Sequence, residues 1–393
     1  MSLPTDFDRE IAERVQQPGF DAVLARAGRA RRRRRTTVAS GVAALVVVAG
    51  AGLAVRAGDH RSAEPAPAVP TTPWDGSSGV DPRLPASVRT ILRDEHVDLW
   101  AVSGSGGVAA VWRGCDAEPC RFAVVIRDGD RVVGATLDAS APRITAVPGG
   151  WLLEDASGIS LLNPAGGRES ITVVDSVTTD VLAGDTAVET ADGWRLLRGH
   201  EVVAMPSPSE REILGAYVTP SGRLVAASTS GADVTASATD DGRTWEMQMA
   251  SRVTEPVATA VVAGNGDHVA VAFLGDDPDG SIPVLAVQVS SDAGLTWTDV
   301  AGLDTDGGDR LSDLSSLAVS AAGTTYVTTG SHHVVRIDVD GDAVPMQLSA
   351  FDTSVFTLGE DVCVVAESGE VDRLECSADD GRSWTSQPLP GFR

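Results

Sequence analysis

Apolar positions follow three different spacings along this chain, and each spacing predicts a different kind of element. Near the N-terminus Phe7, Ile11 and Val15 recur at helical spacing and Thr5 and Asp8 offer a cap. Pro18-Gly19 interrupts the pattern before Phe20, Val23 and Leu24 begin a second short apolar face. Helices this short are marginal alone in water, so the two faces either dock on a partner or stay unfolded. Residues 36–55 carry no charge and are mostly Ala, Val, Gly and Leu. As a helix they would be about 30 Å long, enough to cross the hydrocarbon core of a bilayer. Residues 62–85 then hold six Pro among Ala, Ser, Thr and Gly, the composition of an extended spacer. From about residue 86 to residue 393, short Val/Ala/Leu/Ile runs are broken every few residues by Gly, Asp, Asn or Pro, with no helical period. That pattern predicts an all-β domain. The expected organisation is a stub at 1–35, a transmembrane helix at 36–55, a linker at 56–85 and the β domain at 86–393.

Within the β domain one motif repeats. It runs Ser290-Ser291-Asp292-Ala293-Gly294-Leu295-Thr296-Trp297, and again Ser377-Ala378-Asp379-Asp380-Gly381-Arg382-Ser383-Trp384. An earlier copy, Ala238-Thr239-Asp240-Asp241-Gly242-Arg243-Thr244-Trp245, has Ala where the others begin with Ser. Aligned on Gly242 and Trp245, its turn residues are Asp240, Gly242 and Thr244. Asp accepts hydrogen bonds from the backbone just after it, Gly supplies a left-handed turn residue, and Trp packs its large apolar face beside the turn. The motif resembles the Asp box (BNR repeat, Ser-x-Asp-x-Gly-x-Thr-Trp) of the sialidase-like β-propellers. The resemblance implies that each box joins the third and fourth strands of a blade, away from the ligand face, and is structural. Degenerate turns recur at Asp128-Gly129-Asp130, Pro164 to Gly167, Arg198-Gly199-His200 and Asp338 to Asp342. Seven turns at this period predict seven four-stranded blades, with six and eight left open. A propeller gives each blade its own packing layer, which suits a domain of about 300 residues.

Charge divides the chain in the same places. Its 31 basic residues are all Arg; residues 1–35 carry nine Arg against five Asp/Glu, whereas residues 57–393 carry 21 against 50. Residues 31–35, all Arg, directly precede the apolar span. This predicts a single-pass anchor with a cytoplasmic N-terminus and an extracytoplasmic propeller. An Arg run could bind nucleic acid, but beside an apolar span it reads as a topology signal, so no nucleic-acid partner is expected. Val55-Arg56-Ala57 offers a cleavage site, yet 35 residues ahead of the span is long for a leader, so an uncleaved anchor is preferred. The stub resembles those of bacterial membrane-anchored anti-sigma factors, which implies a cytosolic protein partner for residues 1–30; disorder is the competing reading. The four Cys allow three pairings. Local pairing, Cys115 with Cys120 and Cys363 with Cys376, is simplest and fits an oxidising compartment.

By resemblance to known propellers, the loops joining second to third strands and those joining blade to blade share the ligand face. The former hold Asp116, Glu118, Glu154, Asp155, Glu189, Asp192 and Asp233, then Asp276, Asp277, Asp279, Glu367, Glu370 and Asp372, and no Arg. The opposite turns carry only Asp185, Asp267, Glu360 and Asp361. An acidic bowl that selects cations is the expectation, with solvated surface carboxylates as the bland alternative. Arg143, Arg211, Arg252 and Arg310 fall in the blade-to-blade loops and could neutralise its rim. The resembled sialidases need three Arg, a Tyr nucleophile paired with Glu, and an acid/base Asp. Here Tyr217 and Tyr326 both read as strand residues, and Arg83-Leu84-Pro85 echoes the family's Arg-(Ile/Leu)-Pro motif outside its usual strand context. Asp304 to Asp309 and Asp338 to Asp342 partly match calcium loops but lack the terminal bidentate Glu. No cofactor is therefore expected, calcium being the weak alternative. His332-His333 has no partner ligands in sequence. The functional expectation is a non-catalytic binding or scaffolding propeller of the cell envelope, with a cationic ligand or a glycan. An exo-sialidase-like glycoside hydrolase and an envelope signalling protein are the alternatives.

Overall fold

The computed structural model describes residues 79–392, apart from residues 95–96, 116–118, 139–140, 178–179, 209–210, 231–232, 250–256, 276–282, 301–313, 315, 329–333, 347–350 and 369–370. The stub, the apolar span at 36–55 and most of the linker lie outside the described residues. Among the described residues, no helix is long and apolar enough to cross a membrane.

Seven four-stranded sheets form a ring of blades around a common axis, with their inner strands in mutual contact. Blade I holds β1 (Val97–Gly104), β2 (Val108–Gly114), β3 (Arg121–Asp128) and β4 (Arg131–Leu137). Blade II holds β5 (Arg143–Val147), β6 (Gly150–Asp155), β7 (Gly158–Leu162) and β8 (Arg168–Ser170). Blade III is built from β9 (Thr172–Val177), β10 (Thr186–Thr190), β11 (Gly193–Arg198) and β12 (Glu201–Ala204). Blade IV contains β13 (Glu212–Val218), β14 (Leu224–Ser230), β15 (Asp233–Thr239) and β16 (Glu246–Met249). Blade V contains β17 (Val257–Asn265), β18 (His268–Gly275), β19 (Val284–Ser290) and β20 (Thr298–Asp299). Blade VI has β21 (Ser316–Val319), β22 (Thr325–Thr328), β23 (Val334–Ile337) and β24 (Ala343–Met346), and blade VII has β25 (Phe351–Leu358), β26 (Asp361–Ser368), β27 (Val371–Ser377) and β28 (Thr385–Pro388). Seven blades was the count read from the turn spacing.

The second strand of a blade packs against both neighbouring blades, so it reads as an unbroken apolar run, such as Val-Ala-Ala-Val-Trp in β2 or Val-Ala-Val-Ala-Phe-Leu in β18. Outer strands are partly or largely exposed, as in β8 and β24. Each seam between blades carries its own apolar cluster. Trp151 and Leu153 fill the seam between blades I and II, Phe273 and Ala227 that between IV and V, and Tyr326 and Trp384 that between VI and VII.

Blade III departs from the expected order. Its spatial sequence is β10-β11-β12-β9, with β9 at the rim and parallel to β12, from Thr172 opposite Glu201 to Val177 opposite Ala204. Chain reach explains this. β8 ends at Ser170 and β9 begins at Thr172, leaving Ile171 alone between them. One residue spans about 3.5 Å, whereas rim to centre of a four-stranded sheet is about 14 Å. The crossing is made later, between the end of β9 and the start of β10. β10 then enters from the opposite end of the ring: a Cβ on Gly222 in the blade IV turn would meet Ala183 just before it, and Ala191 just after it donates its N–H to Glu154 at the far end of β6.

Residues 80–85, the end of the stretch read as linker, belong to the folded unit. Val80 bridges Phe392, and Asp81 and Leu84 are buried. Helix α1 (Ala86–Leu92) follows and packs Val88, Ile91 and Leu92 into the seam between blades I and VII.

Candidate ligand face and the repeated turns

The three repeated turns join third to fourth strands, in blades IV, V and VII. In two of them the bonding is the same. Ser290 Oγ donates to Asp292 and accepts from Gly294 N–H, while Asp292 accepts from Thr296 N–H at 2.8 Å and from its hydroxyl at 2.6 Å. Ser377, Asp379, Gly381 and Ser383 repeat these bonds. Ala293 and Asp380 take positive φ of 58° and 60° just before Gly294 and Gly381, both at 81°. The Trp of each turn packs inward: Trp384 is buried and donates to Gly381 O, while Trp245 and Trp297 pack partly into their seams.

The blade IV turn corrects the alignment. Its carboxylate is Asp241, not Asp240. Thr239 takes the Ser role, donating to Asp241 and accepting from Gly242 N–H, and Asp241 accepts from the Thr244 N–H and hydroxyl. Ala238 has no hydroxyl to offer, so the network starts one residue later and the turn is one residue shorter. Asp240 is turned instead towards Arg223, at 2.7 Å. N–H groups of Thr244 and Arg243 hold the Asp241 carboxyl down at about 2, and the Ser383 hydroxyl and N–H do the same for Asp379. For Asp292 burial works in the opposite direction, but the bonds from Thr296 and Ser290 outweigh it and its pKa is lowered too.

These turns also join blades. Arg223, buried in blade IV, donates to Asp240, to Glu246 at 2.5 Å and to Ala293 O of blade V at 3.0 Å. Asp380 of blade VII accepts from Ser320, Thr324 and Tyr326 of blade VI. Both tyrosines of the chain are used in this way. Tyr217 donates to Gly266 O, and a Cβ on Gly264 would lie only 2.4 Å from its ring. Burial, then the Asp267 charge, pushes the Tyr217 phenol up to about 12, and burial beside Asp380 raises Tyr326. Arg83 is likewise structural, forking onto Asp81 and donating to Asp130 O. Asp338 closes a tight turn by accepting from Asp340 and Asp342 N–H groups. Among the described residues no His/Cys/Asp/Glu group could hold a metal ion. Asp304 to Asp309 and His332-His333 lie outside them.

The opposite end of the ring bears the loops expected to form the acidic bowl. Asp116, Glu118, Asp276, Asp277, Asp279 and Glu370 lie outside the described residues; Asp233 opens β15, and Glu367 faces Asp372 across β26 and β27. Of the four other predicted carboxylates with described side chains, two are paired to Arg. Asp155, almost wholly buried, meets Arg168 at 2.9 Å and is also held by Ser157, and those partners lower its pKa against the effect of burial. Asp192 lies 3.8 Å from Arg195. Glu154 is spent on the Ala191 N–H and sits opposite the exposed Arg143, while Glu189 is exposed. Arg211 donates to Thr235, and Arg252 and Arg310 are not described. Sequence reading missed a further group at this end: Asp98 and Arg113 form an ion pair, with the guanidinium 4.8 Å over the Trp100 ring. Only the register that sets Asp98 opposite Arg113 reveals it. The axis itself is narrow at the turn end, where Gly104, Ala146, Ala263, Leu317 and Phe356 line a cavity of about 130 Å³.

Both disulfides form as expected, Cys115–Cys120 beside blade I and Cys363–Cys376 across β26 and β27.

No protein-family profile matches the chain, and no curated protein matches it. Solved structures match in fold. Hydrazine synthase from Kuenenia stuttgartiensis is 12% identical, covers 72% of this chain and 96% of its own, and superposes with a TM-score of 0.48. A catalytically inactive virginiamycin B lyase from Staphylococcus aureus is 12% identical over 75% of this chain and 85% of its own, at 0.35. A Trypanosoma rangeli sialidase is 14% identical over 72% of this chain and 53% of its own, also at 0.35. Likeness at this level concerns the propeller fold alone.

Proposed function

We propose that this protein is a sialidase-like Asp-box propeller held outside the cell by an N-terminal anchor at residues 36–55, and that it binds or scaffolds at the cell envelope without catalysis. One observation carries the non-catalytic part. The chain has two Tyr, and both lie at the turn end of the ring, Tyr217 partly buried against Gly266 O and Tyr326 buried against Asp380. Neither is placed as a nucleophile on the ligand face. The Asp-box assignment is supported by the shared hydroxyl–carboxylate–glycine bonding in three turns that join third to fourth strands. Two disulfides support an oxidising compartment. Among the described residues of the ligand-face end, three acid–arginine pairs, Asp98–Arg113, Asp155–Arg168 and Asp192–Arg195, lie in blades I to III, with Glu189 and Arg143 exposed. In sequence, residues 116–118 and 276–279 hold five further carboxylates, and on that acidic composition a cationic ligand is favoured over an anionic sugar. Residues 1–30 would then face the cytosol and a protein partner there.

Calorimetric titration of residues 79–393 at low salt tests this reading. Calcium or a polyamine should bind with an affinity that weakens as salt is added, and sialic acid should not bind. Specific sialic acid binding, or its release from a reporter glycoside, would replace this reading with the hydrolase.

A further inference from the structure

We propose that residues 80–92 form a releasable latch, and that opening it parts blades VII and I while leaving every strand ladder of both blades intact. Six seams of the ring are crossed by continuous chain. The seventh lies between the two ends of the domain. Blade I draws all four strands from residues 97–137 and blade VII all four from residues 351–388, so no strand is shared across the closure.

The latch is made of few bonds. Val80 forms an isolated bridge with Phe392, and Asp81 N–H donates to Gly391 O at 2.9 Å. Trp112 donates to Pro390 O at 2.9 Å and meets the Phe392 ring edge-on at 5.1 Å. Arg127, drawn from blade I, gathers the carbonyls of Pro388, Leu389 and Phe392. Beneath these, Leu84, Val88 and Leu92 join Trp112 of blade I to Leu374 and Leu389 of blade VII. A single bridge and a handful of side-chain bonds hold less firmly than the seven-residue ladders within blade I. Both disulfides reinforce the contrast. Cys115–Cys120 staples the β2–β3 loop of blade I and Cys363–Cys376 staples blade VII, and neither crosses the seam. The two end blades are thus braced within themselves; between them lie the latch, the tail at residues 388–392 that Trp112 and Arg127 hold, the shared apolar cluster of the seam and the contact of β1 with β25.

Native-state hydrogen exchange on the full chain tests the latch independently of any anchor. The amides of residues 80–92 and 389–392 should exchange together, at least tenfold faster than those at the centres of β14 and β18. A Val80→Cys/Phe392→Cys cross-link should slow that group at least tenfold and leave blades IV and V unchanged. Arg127→Ala should accelerate the same group selectively. Exchange of the latch amides at the rate of β14 and β18, or a cross-link that slows all blades alike, would show that the closure opens only with global unfolding and overturn the proposal.

Discussion

Replacing Arg223 with Ala removes three bonds whose surroundings differ, and the difference sets the expected cost. Arg223 itself is buried, with only 8% of its side chain exposed, while its partners Asp240 and Glu246 are 73% and 60% exposed. Those carboxylates recover water when the guanidinium leaves, so each ion pair counts as a surface pair, at about 0.2–1 kcal/mol. The bond to Ala293 O differs because a charged donor spans the seam between blades IV and V, and such bonds contribute about 1.5–3 kcal/mol. The variant should therefore lose about 2–5 kcal/mol. At roughly 2 °C per kcal/mol for a domain of this size, its melting temperature should fall by about 4–10 °C. Asp240→Ala, by contrast, should cost no more than about 1 kcal/mol, since its carboxylate is solvated and closes no turn. Calorimetric melting of residues 79–393 with disulfides intact compares the two. A melt for Arg223→Ala within a degree of the parent, or an Asp240→Ala variant as damaged as Arg223→Ala, would refute both the seam argument and the assignment of Asp241 to the turn.

Asp292→Ala should destabilise the domain by about 1–3 kcal/mol, since the Thr296 N–H and the Ser290 hydroxyl lose their shared acceptor, without changing ligand binding per folded molecule; native melting with lost binding would make the turn functional. Acid should act through the same turns. Asp241 and Asp379 have folded pKa values near 2, below their ordinary value of 3.8, so their contribution is complete above about pH 4 and is lost as pH falls towards 2. Melting temperature should therefore drop mainly below pH 4, and Asp379→Asn should flatten that drop; an unchanged slope would remove Asp379 as a contributor.

The repeating turns were legible because their chemistry is local. Ser290, Asp292, Gly294 and Thr296 bond to one another within seven residues, so composition and spacing suffice to announce the turn, and the turns count the blades. Local pairing of the four cysteines was legible for the same reason. What failed was whatever depends on partners distant in sequence. Asp240 and Asp241 are adjacent acids, and only the position of Arg223, with Ala238 buried beneath, decides which one closes the turn. Asp155 looked unopposed because the arginine that opposes it, Arg168, sits in β8 and meets the carboxylate only once β6, β7 and β8 have paired. Residues 80–85 looked like spacer because Pro dominates their surroundings, while their fate rests on Gly391 and Phe392 at the other end of the chain. β9 reads as an ordinary strand in sequence. Its place at the rim was decided by geometry, since a single residue cannot cross a blade.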